Sequence, residues 1–189
     1  KLKYEKADTL KTFEKLIREA LSFNYKPLVV VNTRDPRPEE DVRRIFRTLA
    51  TRYDVDIEIL NEPNEATYWR DGNLETAADV IMIAAEEIKR VKPETRVIVC
   101  ALTDPSKMVP FVKLLRERNV NFNQVEFAAH GYGEPWVLEW VVSAVVKATG
   151  KPAVVTEFGV VGENKRGIIP LLDKLWELFG QGRVIQAFA

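Results

Sequence analysis

Short β-branched, apolar runs alternate along this chain with longer segments of helical period, and that alternation admits few folds: it marks repeated β/α units around a parallel sheet. Leu28–Val31 is wholly aliphatic, as a strand covered on both faces must be. Further strands are expected at Asp56–Leu60, Arg96–Leu102, Val125–Ala129, Ala153–Thr156 and Val184–Phe188. The first helix is expected over Asp8–Leu21, where Leu10, Phe13, Leu16, Ile17, Ala20 and Leu21 recur at helical spacing. Pro38 opens a second, with Glu39, Glu40 and Asp41 in its first turn and Val42, Ile45, Phe46 and Leu49 as its stripe. Others are expected over Leu74–Val91, stopped before Pro93, and over Pro105–Arg118. The last two run over Pro135–Ala148, ended by Gly150, and Gly167–Phe179, ended by Gly180.

Six β/α units can build a doubly wound open sheet or part of a (β/α)₈ barrel. No glycine-rich phosphate loop follows any strand, which counts against a nucleotide-binding sheet. The fold class expected is therefore α/β, a TIM-barrel-like repeat of six parallel strands. A whole barrel needs about 250 residues; the 189 here fall about two β/α units short. With 46% hydrophobic residues and no linker, residues 1–189 read as a single partial barrel domain.

Charge narrows the partners. Lysine and arginine number 28, as do aspartate and glutamate, so no net field recruits nucleic acid or an anionic membrane. No apolar run approaches the roughly 18 residues of a membrane span. The one cysteine, Cys100, lies in an apolar run and reads as a small core residue. The chain starts at Lys1 rather than methionine, which fits removal of a signal peptide, hence secretion, or of a longer N-terminal part. Abundant Lys, Arg and Glu with little Cys and Met fits a heat-adapted protein.

In such folds the chemistry gathers at the C-terminal ends of the strands. The second expected strand ends in Asn61-Glu62-Pro63-Asn64, the fourth in His130-Gly131-Tyr132 and the fifth in Thr156-Glu157-Phe158-Gly159. Strand alternation puts Glu62 on the face of Leu60, and Glu157 on that of Val155 and Ala153. Two carboxyl groups flanking a bond are what glycoside cleavage requires. A spacing of about 5–5.5 Å gives retention, and about 6.5–9.5 Å gives inversion. The two must differ in protonation, with Glu62 neutral as acid and Glu157 ionised as nucleophile, tuned by His130 and Tyr132. Each piece alone has a plainer reading: Asn-Glu-Pro is a common turn, and a single histidine is often structural. Their joint occurrence at strand ends is the specific signal. A metal-dependent hydrolase built on Glu62, His130 and Glu157 is a weaker alternative, since one histidine is few for catalytic zinc; no cofactor is expected.

At these residues the chain resembles clan A of the glycoside hydrolases, retaining enzymes built on (β/α)₈ barrels. The stretch Glu58-Ile59-Leu60-Asn61-Glu62-Pro63-Asn64, followed by Tyr68-Trp69-Arg70-Asp71-Gly72, looks most like families 39 and 5. The resemblance implies Glu62 as acid/base at the end of strand four and Glu157 as nucleophile at the end of strand seven. It implies that Asn61 binds the sugar 2-hydroxyl and that Tyr132, in the His-x-Tyr of strand six, bonds the nucleophile. Trp69 and Trp136, near strand ends, are candidate sugar-stacking residues, with core packing an equal reading for each. Asn32, ending strand three, is a candidate contact or an ordinary strand cap. On this count Leu28–Val31 is strand three, so strands one and two, and the arginine the family carries at the end of strand two, have no counterpart. Neither does the tryptophan often found at the end of the last strand.

The substrate implied is a β-linked oligo- or polysaccharide. The alternative is a catalytically impaired, carbohydrate-binding or structural protein derived from such a barrel. An open arc would leave Leu28–Val31 and Val184–Phe188 as apolar edges. They would pair with each other, with another copy as a homo-oligomer, or with an absent N-terminal segment.

Overall fold

The structure, a computed structural model, describes residues 2–4, 7–33, 35–160 and 168–188. In chain order the elements are β1 (Leu2–Tyr4), α1 (Ala7–Ser22), β2 (Leu28–Val31), α2 (Glu39–Arg52), β3 (Asp56–Ile59), α3 (Leu74–Val91) and β4 (Val97–Val99). They continue with α4 (Met108–Glu117), β5 (Glu126–Tyr132), α5 (Pro135–Thr149), β6 (Ala153–Gly159), α6 (Ile168–Gly180) and β7 (Val184–Ala187). Each strand pairs in parallel with the next, and the sheet curls into a TIM-barrel-like arc with helices outside.

The six expected strands and six expected helices all form, with ends shifted by a few residues. Gly167, the expected start of the last helix, lies outside the described residues. At the other end of that helix Gly180 is still helical, and the left-handed turn falls on Gly182, φ 67°. One strand was not expected. β1 is Leu2-Lys3-Tyr4, too short and too mixed to register as an apolar run, yet it pairs with β2 from Leu2↔Val29 to Tyr4↔Val31. This corrects the expectation that Leu28–Val31 is an edge. Counted from β3 as strand four, β1 stands in the place of strand two. Among the described residues no pairing joins β7 to β1, so the far side of β7 remains an edge.

Alternation along the strands divides the buried residues into two groups. Val29, Ile57, Val97, Val99, Phe127, Ala153 and Val155 face the helices and join the main core with Phe46, Ile81, Phe111 and Leu175. Leu28, Ile98, Ala128 and Val154 form a separate apolar layer inside the arc. Below it, at the N-terminal ends of the strands, the inside is closed by charge. Arg96 Nε donates to Glu126 at 2.7 Å, its guanidinium also reaches Gln186 and Asp56, and Lys26 pairs with Asp56 at 2.9 Å.

Local signals set the helix ends. Asn73 caps α3, its side-chain oxygen accepting from the backbone N–H groups of Glu75 and Thr76. Pro135 opens α5, and Gly150, at φ 74°, closes it. Between α2 and α3 the carboxylate of Glu87, only 1% exposed, accepts from Arg90 at 2.6 Å and from Arg47 at 2.5 Å. The Arg90 bonds, followed by those of Arg47, outweigh burial and hold Glu87 at about 2, below its ordinary 4.5.

A depressed carboxylate contributes stability above its unfolded value and loses it as pH falls through its folded value. Glu87→Gln is therefore expected to lower stability at pH 7 by about 1.5–3 kcal/mol. The gap between variant and parent should close as pH falls from 4.5 toward 2. Urea denaturation at pH 7 and at about pH 2.5 measures both; a pH-independent gap would exclude the ionic origin.

Candidate functional site

Three strand ends converge at the open mouth of the arc, and at two of them the backbone departs from regular alternation. β3 closes with two left-handed residues, Leu60 at φ 67° and Glu62 at φ 45°. Neither is glycine, and each such conformation costs on the order of 1–3 kcal/mol. Leu60 consequently packs in the helix-facing core beside Ile59, where alternation would have sent it inward. The second left-handed residue then carries the Glu62 carboxylate to the inside. The expectation that Glu62 shares a face with Leu60 is thus corrected, although Glu62 does point into the arc.

β6 uses a different device. Ala129 pairs with Val155 but His130 pairs with Glu157, so Thr156 is an extra residue, a β-bulge. Ala153 and Val155 face the helices, and strict alternation would have sent Glu157 with them. That expectation too is corrected. The bulge lets both Thr156 and Glu157 face His130.

His130 is the hub. Its Nδ1 lies 2.7 Å from Glu62 Oε1 and its Nε2 lies 3.0 Å from Thr156 Oγ1. Glu58 Oε1 is 3.6 Å and Glu157 Oε1 is 3.8 Å from the same Nε2. The ring is buried, as are Glu58 and Glu62. Tyr132 Oη donates a short hydrogen bond to Glu157 Oε2. Burial, with the charge of Glu62 and then Tyr68 adding to it, pushes the Tyr132 phenol up, so it stays a donor at neutral pH. Burial also pushes the Cys100 thiol well up, helped by the charges of Glu58 and Glu62, and this inert thiol fits its expected place in the core.

The remaining candidates divide. Asn61 is buried beside Glu62, and Asn32 is half-buried just past the end of β2. Trp136, at the start of α5, is 63% exposed and leans on Trp140 at 6.4 Å between ring centres. Trp69 is different: it is fully buried, and its indole N–H donates to the Asn73 carbonyl and to Thr76. With no ring face open, it is a packing residue, which resolves its two readings against sugar stacking. Behind the mouth, the loops after β3 and β4 are tied together: Asn64 Nδ2 donates to Thr103 Oγ1 at 2.6 Å, and Asn64 Oδ1 accepts from the Thr103 backbone N–H.

Two residues of the cluster, Glu58 and Thr156, were not singled out as site residues from the sequence. For Glu58 a signal existed: an acid at an inward position between Ile57 and Ile59, in a strand otherwise buried. Ligand atoms of Glu62, His130 and Glu157 lie within 4.8 Å of one another, close enough in principle for one cation. His130 already engages Glu62 and Thr156 through both ring nitrogens, however. As it stands, the cluster is joined by hydrogen bonds through both nitrogens of His130.

No protein-family model and no curated protein sequence matches the chain. Solved structures do. The GH39 enzyme from Xanthomonas axonopodis pv. citri superposes with a TM-score of 0.72 at 14% identity, over 95% of this chain and 47% of that one. A glucosidase from Croceicoccus marinus gives 0.72 at 14%, over 92% and 44%. An endoglucanase from Pseudomonas stutzeri gives 0.68 at 13%, over 96% and 65%. The fold is shared with these barrels, of which the chain forms a TIM-barrel-like arc. At such identities the likeness carries the fold alone, and the chain spans under half the length of the first two structures.

Gly131 lets this barrel arc bring His130 and Tyr132 under α5. A Cβ there would lie 2.6 Å from Leu138 Cδ1 and 3.0 Å from Leu138 Cα. The Cδ1 can rotate away but the Cα cannot. Gly131→Ala is expected to cost about 1–3 kcal/mol by overpacking, read as a lowered melting temperature; an unchanged one would mean that α5 shifts freely.

Proposed function

We propose that the chain carries the catalytic centre of a retaining glycoside hydrolase acting on β-linked oligo- or polysaccharides. The observation that carries this reading is the juxtaposition of Glu62 and Glu157, from different strands, on either side of His130 with carboxylate oxygens within 4.8 Å. That closeness suits the short spacing of double displacement better than the wider spacing of an inverting site.

Glu157 attacks the anomeric carbon through one oxygen while Tyr132 holds the other. Glu62 protonates the departing glycosidic oxygen. Water then enters, Glu62 takes its proton, and the glycosyl–Glu157 ester is cleaved. Asn61 and Asn32 supply hydrogen bonds to sugar hydroxyls, and the Asn32 side-chain oxygen, buried with no hydrogen-bond partner among the described residues, suits that task. Trp136 offers an exposed ring at the same end of the barrel. The glycosidic names of the similar structures, xylosidase, glucosidase and endoglucanase, agree with this class.

One observation favours a second reading, a carbohydrate-binding protein without turnover: the chain spans under half the length of the first similar structures. The two separate experimentally. A 2-fluoro aryl glycoside is expected to label Glu157 covalently, as read by peptide mass. Glu157→Gln should abolish labelling and turnover. Glu62→Gln should slow poor leaving groups by about 10²–10⁴-fold and good ones far less. Labelling elsewhere, or turnover surviving Glu157→Gln, would refute the assignment. Calorimetric sugar binding with no hydrolysis of any aryl glycoside would favour the second reading.

A further inference from the structure

Glu58 has no part in the double displacement just described, yet it is the most enclosed ionisable group of the cluster. It is 0% exposed, and neither carboxylate oxygen has a hydrogen-bond partner among the described residues. A buried carboxylate without donors is costly unless a cation stands beside it. Among the described residues no lysine or arginine pairs with it; the nearest group able to carry positive charge is His130, whose Nε2 is 3.6 Å away. On its other side His130 meets Glu62 at 2.7 Å, a contact that needs a proton between Nδ1 and Oε1. That proton can come from the ring or from the carboxyl, and the total protonation of the pair is the same either way.

We propose that Glu58 is a positioning residue whose buried negative charge keeps the transferable proton on the Glu62–His130 pair. The proposal rests on the reading of Glu62 as general acid. With Glu58 and Thr156 on the Nε2 side, that nitrogen keeps its hydrogen and Nδ1 stays turned to Glu62. The remaining groups around the ring fit this role. From β6, Glu157 faces Nε2 at 3.8 Å and is held as acceptor by Tyr132 of β5. From the end of β4, Cys100 lies close enough to feel Glu58 and Glu62, and its raised thiol adds no charge. Glu58 is thus the carboxyl group that no donor meets among the described residues, set behind the proton that the reaction uses. Removing a negative charge beside a protonated pair weakens its hold on the proton, so the pair must release it at lower pH.

His130 is the only histidine, so its imidazole resonances report the cluster without any assay of activity. In the full chain, the pH transition of these resonances is expected to fall by about one unit or more in Glu58→Gln. Glu58→Met, which fills the same apolar niche without charge, should give the same shift; Glu58→Asp, which keeps the charge, should stay near the parent. With an aryl glycoside, the basic limb of kcat/KM should move down alongside the resonance transition in the uncharged variants. A transition unmoved in folded Glu58→Gln and Glu58→Met overturns the proposal, as does a basic limb that stays put while the resonances move. If the resonances move but the parent hydrolyses no glycoside, the glycosidase reading fails, while the hold of Glu58 on the proton stands.

Discussion

The inside of a tightly curled parallel sheet is narrow, and a polar group placed there must find its partner among the other side chains that point inward. The chain meets this constraint in layers. At the N-terminal ends of the strands Arg96 collects Glu126, Gln186 and Asp56, with Lys26 closing the set. An apolar layer of Leu28, Ile98, Ala128 and Val154 follows. Above it His130 gathers Glu62 and Thr156, with Glu58 and Glu157 in reach. The upper layer differs from the lower in the balance of charge. Below, two cations meet two carboxylates; above, three carboxylates surround one imidazole. A site with more acids than bases in low dielectric has to retain protons, and acid–base chemistry begins from that condition.

Most of the architecture was legible in the sequence because burial on both faces writes each strand as an aliphatic run and each helix as a stripe. The exception, β1, is three residues long with lysine at its centre, and it forms because β2 offers it a ladder. Local pattern holds no trace of such an invitation. The convergence of Glu62, His130, Tyr132 and Glu157 was legible too, through their places at strand ends. How the carboxylates face inward was not. For Glu157, alternation pointed to the wrong side, and the insertion of Thr156 into the ladder reverses it; for Glu62, paired left-handed residues do the work. A bulge and a left-handed leucine are tertiary compromises that residue preferences do not encode, since neither position is a glycine. Trp69 shows the opposite limit: aromatic character near a mouth is as good for packing as for stacking, and only its burial decides.

The outer surface follows other rules. Trp136, Trp140 and Trp176 are all substantially exposed on α5 and α6, and the far side of β7 has no partner strand among the described residues. These apolar features lie on the helix layer and at the end of the arc, so they make no demand on the acid cluster within. The tie between α2 and α3 through Glu87 likewise belongs to the outer wall. The wall and the mouth can therefore vary independently as long as the strands between them keep their register.

The bulge at Thr156 places two neighbouring side chains, Thr156 and Glu157, on the inside of a strand whose regular alternation would admit only one of them. Substitutions along β6 can alter packing and leave the carboxylate facing His130. Loss of Thr156 would restore a regular ladder in which Glu157 follows the helix-facing Val155 and still pairs with His130, so the carboxylate would stay inward while the hydroxyl beside His130 is lost. In a chain of this design, a single-codon deletion separates the acid from the group that meets Nε2 of the imidazole. The unpaired residue of this strand is a second inward group gained at the expense of one rung of backbone pairing.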